Sequence, residues 1–106
     1  MPRVIPYALL RPGQGAAGQL AELRGLAAQR QWTLLSPETD DTGEGSPALR
    51  PGLARVLKAL AQERADGVLA VSRIAFSPYD DEYECVLDQV HRTPGFLALV
   101  RAETSL

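Results

Sequence analysis

The stretch that decides the fold is VIPYALL, residues 4–10, an apolar run without a charged side chain. A short apolar run bounded by turn residues is typical of a strand buried in a sheet. Proline and glycine in residues 11–15 end the run, and Leu20, Leu23 and Ala27 then recur at helical spacing. The chain therefore begins with a buried strand followed by a helix.

The same alternation of strand and helix continues along the chain. It predicts a three-layer α/β/α domain with a mainly parallel four-stranded sheet, in the flavodoxin-like order β-α-β-α-β-α-β. The remaining elements that we predict are a strand at 32–35, a loop at 36–47, a helix from Pro51, a strand at 67–72, a helix capped by Ser77 and a strand at 96–102. Pro6 is the irregular position, because a central strand cannot easily spare a backbone N–H. We expect Pro6 to mark a bulge or a locally unpaired start.

Composition limits the class of protein. A chain of 106 residues with 45% hydrophobic content is enough for one domain, so we expect a single unit over 1–106. Its apolar stretches are short and interrupted, which suggests neither export nor membrane insertion and favours the cytoplasm. One cysteine, Cys85, and one histidine, His91, give neither an internal disulfide nor a metal-ligand cluster, and we expect no metal and no cofactor.

A glycine-rich loop offers a different function. The spacing GxGxxG is matched by Gly13, Gly15 and Gly18. Glu38 lies twenty residues beyond the last glycine, as in dinucleotide-binding folds, although an Arg-Pro pair separates the strand from the loop. One interpretation is a flexible loop, and the other is a nucleotide- or phosphate-binding domain in which Arg11 and Arg50 contact the anion.

Three segments of the chain resemble the N-terminal catalytic domain of serine recombinases, the resolvase/invertase family. Residues 4–11 are similar to the opening Y-x-R-x-S of that family. Residues 41–45 and 49–53 are similar to D-x-x-S-G followed by R-P-x-L, and residues 67–79 are similar to the apolar strand that ends in L-D-R-L-x-R. The resemblance covers nearly all of the chain, without the long dimer helix or the DNA-binding domain that normally follow.

The resemblance implies a reaction in which a serine hydroxyl attacks a DNA phosphodiester while arginines stabilise the charge on the phosphate. In the first segment Tyr7 keeps the tyrosine of the motif, but Leu9 replaces its arginine and Arg11 replaces its serine. The middle segment keeps Asp41 and Arg50 in the positions of the family. The nucleophile is therefore missing.

The third segment has lost the rest of the phosphate-binding set. Ile74 keeps the leucine of L-D-R-L-x-R, while Ala75 replaces the aspartate, and Phe76 and Tyr79 replace the two arginines. Removing one group that stabilises the developing charge costs about 100-fold or more in rate. We therefore expect a degenerate recombinase-like site without catalytic residues.

Two functions follow from this resemblance. The first is a catalytically inactive domain that acts as a protein-interaction, regulatory or accessory module, through a protein partner or through self-association as a homodimer. A net charge of -2 disfavours autonomous DNA binding. The second is a fragment of a split site-specific recombinase that obtains its DNA-binding region from another chain.

Overall fold

The structure, a computed structural model, describes residues 1–41 and 46–101. Helices and strands alternate along this part of the chain. In chain order they are β1 (Arg3–Leu10), α1 (Ala17–Arg30), β2 (Thr33–Leu34), β3 (Glu38–Asp41), α2 (Pro51–Ala61), β4 (Gly67–Ala70), α3 (Asp80–His91) and β5 (Phe96–Leu99). Short 3-10 turns at Pro47–Leu49 and Arg73–Ala75 precede α2 and α3.

The described residues form a sheet of five strands in the order β2-β1-β4-β5, with β3 also paired to β1. Every pairing is parallel. The prediction of four strands was wrong because the segment 36–47, predicted as a loop, contains β3. The sequence of β3, ETDD, has no apolar residue, so its backbone pairing to β1 is invisible to a search for hydrophobic runs.

Pro6 lies opposite a bulge, as the sequence suggested. Residues 3–4 of β1 pair with β2 and residues 7–10 pair with β3, so that three residues, 35–37, face only two residues of β1. The carbonyl of Val4 accepts a hydrogen bond from Leu35 on this side of the strand, at 2.8 Å. Backbone groups of a strand alternate in direction, so Pro6 points its nitrogen to the same side as Val4. The missing N–H therefore falls at the bulge, while Pro6 stays in register with Leu69 of β4.

The side chains of β1 divide the core into two layers. Val4 packs with Leu23 and Ala27 of α1 on one face of the sheet. Ile5 and Tyr7 belong to the other cluster, which contains the buried residues of α2 and α3. Because successive residues of a strand point to opposite faces, the layers are α1, the sheet, and α2 with α3. The α/β/α architecture with its parallel sheet is confirmed, and the predicted order of strands and helices holds except that β3 follows β2 without a helix between them.

Several predicted boundaries were too generous. The strands predicted at 32–35 and 67–72 are shorter, and the strand predicted at 96–102 ends at Leu99, with Ala102 outside the described residues. Ser77 was predicted to cap the third helix, but α3 begins at Asp80. The Ser77 hydroxyl instead accepts a hydrogen bond from the Tyr79 N–H at 3.1 Å and donates one to Glu82 at 2.7 Å. Ser77 therefore connects the loop before α3 to the first turn of that helix.

The helices of the described residues are short. The longest, α1, has 14 residues. Within residues 1–41 and 46–101, no helix has the length and apolar character that crossing a bilayer requires.

The beginning of α2 lies directly against β3, and Gly52 makes that approach possible. A Cβ atom at position 52 would lie 2.6 Å from the Thr39 carbonyl oxygen and 2.8 Å from Asp40 Oδ2. The Thr39 carbonyl belongs to the backbone of β3, which cannot move aside as the end of a flexible side chain can. Any larger residue at position 52 must push α2 away from β3.

Replacing Gly52 with alanine should therefore destabilise the protein by about 1–3 kcal/mol, the usual cost of overpacking. Gly25, inside α1, has nothing within 4 Å of an added Cβ. The matched substitution Gly25→Ala should stabilise the protein by about 0.5–1 kcal/mol, because alanine has less backbone freedom than glycine in the unfolded chain and loses less of it in the helix. Urea unfolding of both variants measures the difference, and equal stabilities would show that the approach of α2 to β3 is not tight.

Candidate functional site

A cleft of about 870 Å³ opens at the carboxyl ends of β1 and β4. These two strands are neighbours in the sheet, and the chain order reverses between them. In open α/β sheets, ligands bind at this reversal of strand order. Leu9 and Arg11 line the cleft from the end of β1, and Val71 and Ser72 line it from the end of β4.

Asp40 joins three parts of the structure beside this cleft. It is 6% exposed, and its Oδ2 accepts a hydrogen bond from the Tyr7 hydroxyl at 2.9 Å. The backbone N–H groups of Gly52 and Leu53 donate to Oδ1 and Oδ2, each at 2.8 Å. The N-cap residue of α2 supplies no side-chain hydrogen bond, so Asp40 caps this helix from β3. A carboxylate at a helix N-terminus is also favoured by the helix dipole.

Tyr7 is buried completely and packs its ring on Phe76, with the ring centroids 5.5 Å apart and the planes inclined by 15°. Burial raises the pKa of Tyr7 well above its ordinary value, and Asp40 acts in the same direction while Arg50 opposes it. The hydroxyl therefore stays protonated and donates to Asp40. A phenol held in this way has neither the ionised form nor the access to solvent that a nucleophile needs.

Arg50 forms the fixed cationic side of the cleft. It is 5% exposed, lies between the 3-10 turn at Pro47–Leu49 and α2, and lines the cleft. Its Nη1 donates to the carbonyl oxygen of Ala75 at 3.0 Å. Ala75 ends the 3-10 turn that follows β4. The guanidinium therefore ties the end of β4 to the start of α2.

Arg11 lines the same cleft as Arg50. Its side chain is exposed, and its backbone closes a tight turn with Gln14, with Arg11 N–H bonded to Gln14 Oε1 at 3.1 Å and Gln14 N–H to Arg11 carbonyl at 2.9 Å. Gly13 has a φ of +78° in this turn, a conformation that favours glycine. The glycine at 13 thus serves the turn.

The dinucleotide fingerprint is only partly present in space. Gly18 lines the cleft, whereas Gly13 and Gly15 do not. Glu38, the acid that would hold a ribose, lies in β3 and forms an ion pair with Arg55 at 2.9 Å. The loop 13–18 therefore does not build a dinucleotide site of the usual kind.

The remaining recombinase positions are scattered. Phe76 is buried under Tyr7, and Tyr79 is 65% exposed and does not line the cleft. Asp41 is exposed, and the rest of its motif, residues 42–45, lies outside the described residues. The neighbouring Asp40, rather than Asp41, contacts Tyr7.

The sequence places Asp40 among the charges near the expected site and offers it as a partner of Arg50, but its buried contact with Tyr7 was not predicted, nor were Ser72 and Arg101 as residues of the cleft. Arg101 follows β5 and reaches the cleft from a strand that is distant along the chain. Even a predicted strand over β3 would not have distinguished Asp40 from Asp41, because both of its faces are polar and alternation alone does not show which face is buried.

Asp40→Asn should destabilise the protein strongly and Asp41→Asn only slightly. The amide nitrogen of asparagine would face donors at position 40, and each buried donor without an acceptor costs about 1–3 kcal/mol. Asp41 is exposed, and surface substitutions usually stay within about 0.5 kcal/mol. Chemical denaturation compares the two variants, and a larger loss for Asp41→Asn would refute this assignment of the buried carboxylate.

Tyr7 should make stability fall at alkaline pH. Because the folded state raises the pKa of Tyr7, its contribution to stability is complete below about pH 10, the ordinary pKa of tyrosine, and is lost as pH rises above it. The free energy of unfolding of Tyr7→Phe should fall less steeply over the same range. Parallel curves for the two proteins would mean that the folded state leaves Tyr7 unperturbed.

Comparison with known proteins gives no match to a protein-family model and no match to a curated protein. Solved structures do match. The N-terminal catalytic domain of TP901-1 integrase superposes with a TM-score of 0.79 at 20% identity, covering 92% of this chain and 77% of that one. The C-terminal catalytic domain of ISC1926 TnpA, an IS607-like serine recombinase, gives a TM-score of 0.77 at 16% identity, covering 98% and 71%.

A resolvase family site-specific recombinase from Streptococcus pneumoniae also gives a TM-score of 0.77, at 13% identity, and the match covers 94% of this chain and 72% of that one. These matches span almost the whole chain, and identities this low concern the fold alone. The fold of this protein is that of the serine recombinase catalytic domains, as the resemblance of its sequence predicted.

Proposed function

We propose that this chain is a recombinase-fold binding module that forms no covalent link to DNA. The observation that carries the proposal is the state of Tyr7, whose buried hydroxyl donates to Asp40. Neither Ser nor Thr occurs in residues 1–32, so Tyr7 carries the first side-chain hydroxyl of the chain. Where the family motif has its serine, this chain has Arg11.

The positions that would stabilise a transferring phosphate support the same conclusion. Leu9, Phe76 and Tyr79 stand where the resemblance expects arginines, and Phe76 is packed under Tyr7 in the core. An arginine could not occupy that packed site without burying its charge. At position 76 the absence of a phosphate-binding arginine is therefore part of the packing of the core.

The role that fits an intact fold beside such a site is regulatory or accessory, exerted on a protein partner or on a second copy of the chain. Autonomous binding of the DNA backbone is disfavoured by the charge of the protein, which is -2 overall. Asp80 and Asp81, at the start of α3, are exposed and follow Pro78, which lines the cleft. Asp80 is paired with Arg73, and Asp81 adds negative charge beside the cleft, which disfavours a polyanion there.

The direct test is a search for covalent protein–DNA adducts. The purified protein is incubated with supercoiled plasmid, the reaction is stopped with detergent, and nicks and protein-linked DNA are resolved on denaturing gels, with a serine recombinase on its own site as the positive control. We expect neither product from this protein. Any covalent adduct would overturn the proposal, and its loss in Tyr7→Phe would identify Tyr7 as the nucleophile.

Restoring a hydroxyl at position 11 should also fail to restore cleavage. Arg11→Ser supplies the nucleophile of the family motif but leaves position 9 and the positions of Phe76 and Tyr79 without cations, each worth about 100-fold or more in rate. Arg11→Ser and the double variant Leu9→Arg with Arg11→Ser are assayed in parallel. Cleavage by the single variant would show that the site needs only the serine.

A further inference from the structure

We infer that the cleft between the ends of β1 and β4 is a binding site for a small phosphomonoester with an organic body, of the size of a mononucleotide. This inference rests on the proposed function and deepens it, since it gives a ligand to a domain that binds without reacting. It uses Arg101 and the start of α1 in addition to the two arginines that the sequence indicated.

Positive charge dominates the cleft. Among the described residues that line it, the ionisable side chains are Arg11, Arg50, Arg101 and Glu22. Glu22 partly offsets Arg101, but the separation is 3.7 Å and both side chains are about half exposed, so this pair is weak. The Arg11 side chain has no ion pair within residues 1–41 and 46–101. Arg11 and the weakly paired Arg101 therefore give the exposed part of the cleft a positive balance of charge.

The three arginines of the cleft differ in how far they are buried. Arg50 is 5% exposed and is held by the Ala75 carbonyl, so it presents a fixed guanidinium. Arg11 is exposed after β1, and the Arg101 side chain is 52% exposed after β5. One buried and two exposed guanidinium groups therefore line the same cleft. Guanidinium groups bind phosphate oxygens through paired N–H donors.

The start of α1 adds backbone donors. Its N-cap residue, Ala16, has no side-chain hydrogen bond to offer, and its first turn contains no acid. The first N–H groups of a helix have no intrahelical partner and attract anions. Gly18, in this first turn, lines the cleft. The first turn of α1 therefore borders the same cleft as the arginines and has no side-chain cap.

The size and walls of the cleft select the class of anion. A volume of about 870 Å³ is in the range of small-molecule and cofactor sites, about 300–1,000 Å³, and far larger than one phosphate needs. Leu9, Val71 and Ile74 give it an apolar wall. A ligand with a phosphate at one end and an organic body at the other fits both features.

The surrounding charge favours a small anion over a nucleic acid. Asp81 is exposed at the start of α3, three residues after Pro78 of the cleft wall, and its neighbour Asp80 forms an ion pair with Arg73. A phosphomonoester has its charge on one group inside the cleft. A nucleic acid carries charge along its whole backbone, so carboxylates outside the cleft repel it as well. The site therefore fits a compact ligand with its charge concentrated on one group.

The test is calorimetric titration of the folded chain with AMP, inorganic phosphate, adenosine and a twelve-nucleotide single strand at constant ionic strength. We expect AMP to bind, inorganic phosphate to compete with it more weakly, and adenosine not to bind. Arg11→Gln and Arg101→Gln should each weaken AMP binding by about tenfold or more, the loss of one charge-assisted contact. Arg24→Gln, at an exposed position of α1 that does not line the cleft, removes the same charge and should leave the affinity unchanged.

Three results would overturn the inference. The first is that AMP at millimolar concentration gives no heat of binding and inorganic phosphate does not compete with it. The second is that Arg24→Gln weakens AMP binding as much as Arg11→Gln and Arg101→Gln do, and the third is that the single strand binds more tightly than AMP. Circular dichroism of each variant shows whether the fold is kept, so that an unfolded variant is not counted as a loss of binding. The outcome is independent of the adduct assay, because a covalent product would refute the proposed function while leaving the titration intact, and a silent titration refutes only the ligand.

Discussion

Three hydrogen bonds to the buried carboxylate of Asp40 connect β1, β3 and α2. Asp40 lies in β3 and accepts hydrogen bonds from the hydroxyl of Tyr7 in β1 and from the backbone N–H groups of Gly52 and Leu53 at the start of α2. One buried charge therefore fixes an edge strand without apolar residues, the start of a helix and the aromatic centre of the core. Such a charge is stable in the interior only because each donor is in place. It also explains why Gly52 is needed, since α2 must come within hydrogen-bond distance of β3.

The same interaction connects the fold to the chemistry. A tyrosine at the head of a recombinase-like motif could serve as a replacement nucleophile if it were exposed and ionisable. Here the Asp40 contact and burial keep the Tyr7 proton in place, and Phe76 closes over the ring where the resemblance expects an arginine. Arg50 and Arg11 remain at the cleft. Compared with the motif that the resemblance implies, position 11 carries an arginine in place of the serine, and positions 9, 76 and 79 carry no arginine, on which the proposed function rests.

Sequence patterns predicted the elements whose cores are apolar and failed where burial is achieved by polar groups. The strands at β1, β4 and β5 and the stripes of α2 and α3 follow directly from periodicity. β3 was missed because its stabilisation comes from backbone pairing and a buried carboxylate, and the choice between Asp40 and Asp41 depends on a strand direction that the local sequence does not contain. Ser77 resembles a helix cap in sequence, but its partner is Glu82 across the loop. Arg101 could not be assigned to the cleft without knowing that β5 lies beside β4.

A double-mutant cycle on Tyr7 and Asp40 tests the central claim most directly. Free energies of unfolding are measured for Tyr7→Phe, Asp40→Asn and the double variant, and the interaction energy is taken from their non-additivity. The account predicts a coupling of about 0.5–3 kcal/mol, the range for residues that share a buried hydrogen bond. Additivity within about 0.3 kcal/mol would contradict it, because the hydroxyl of Tyr7 would then be independent of Asp40 and free for other chemistry.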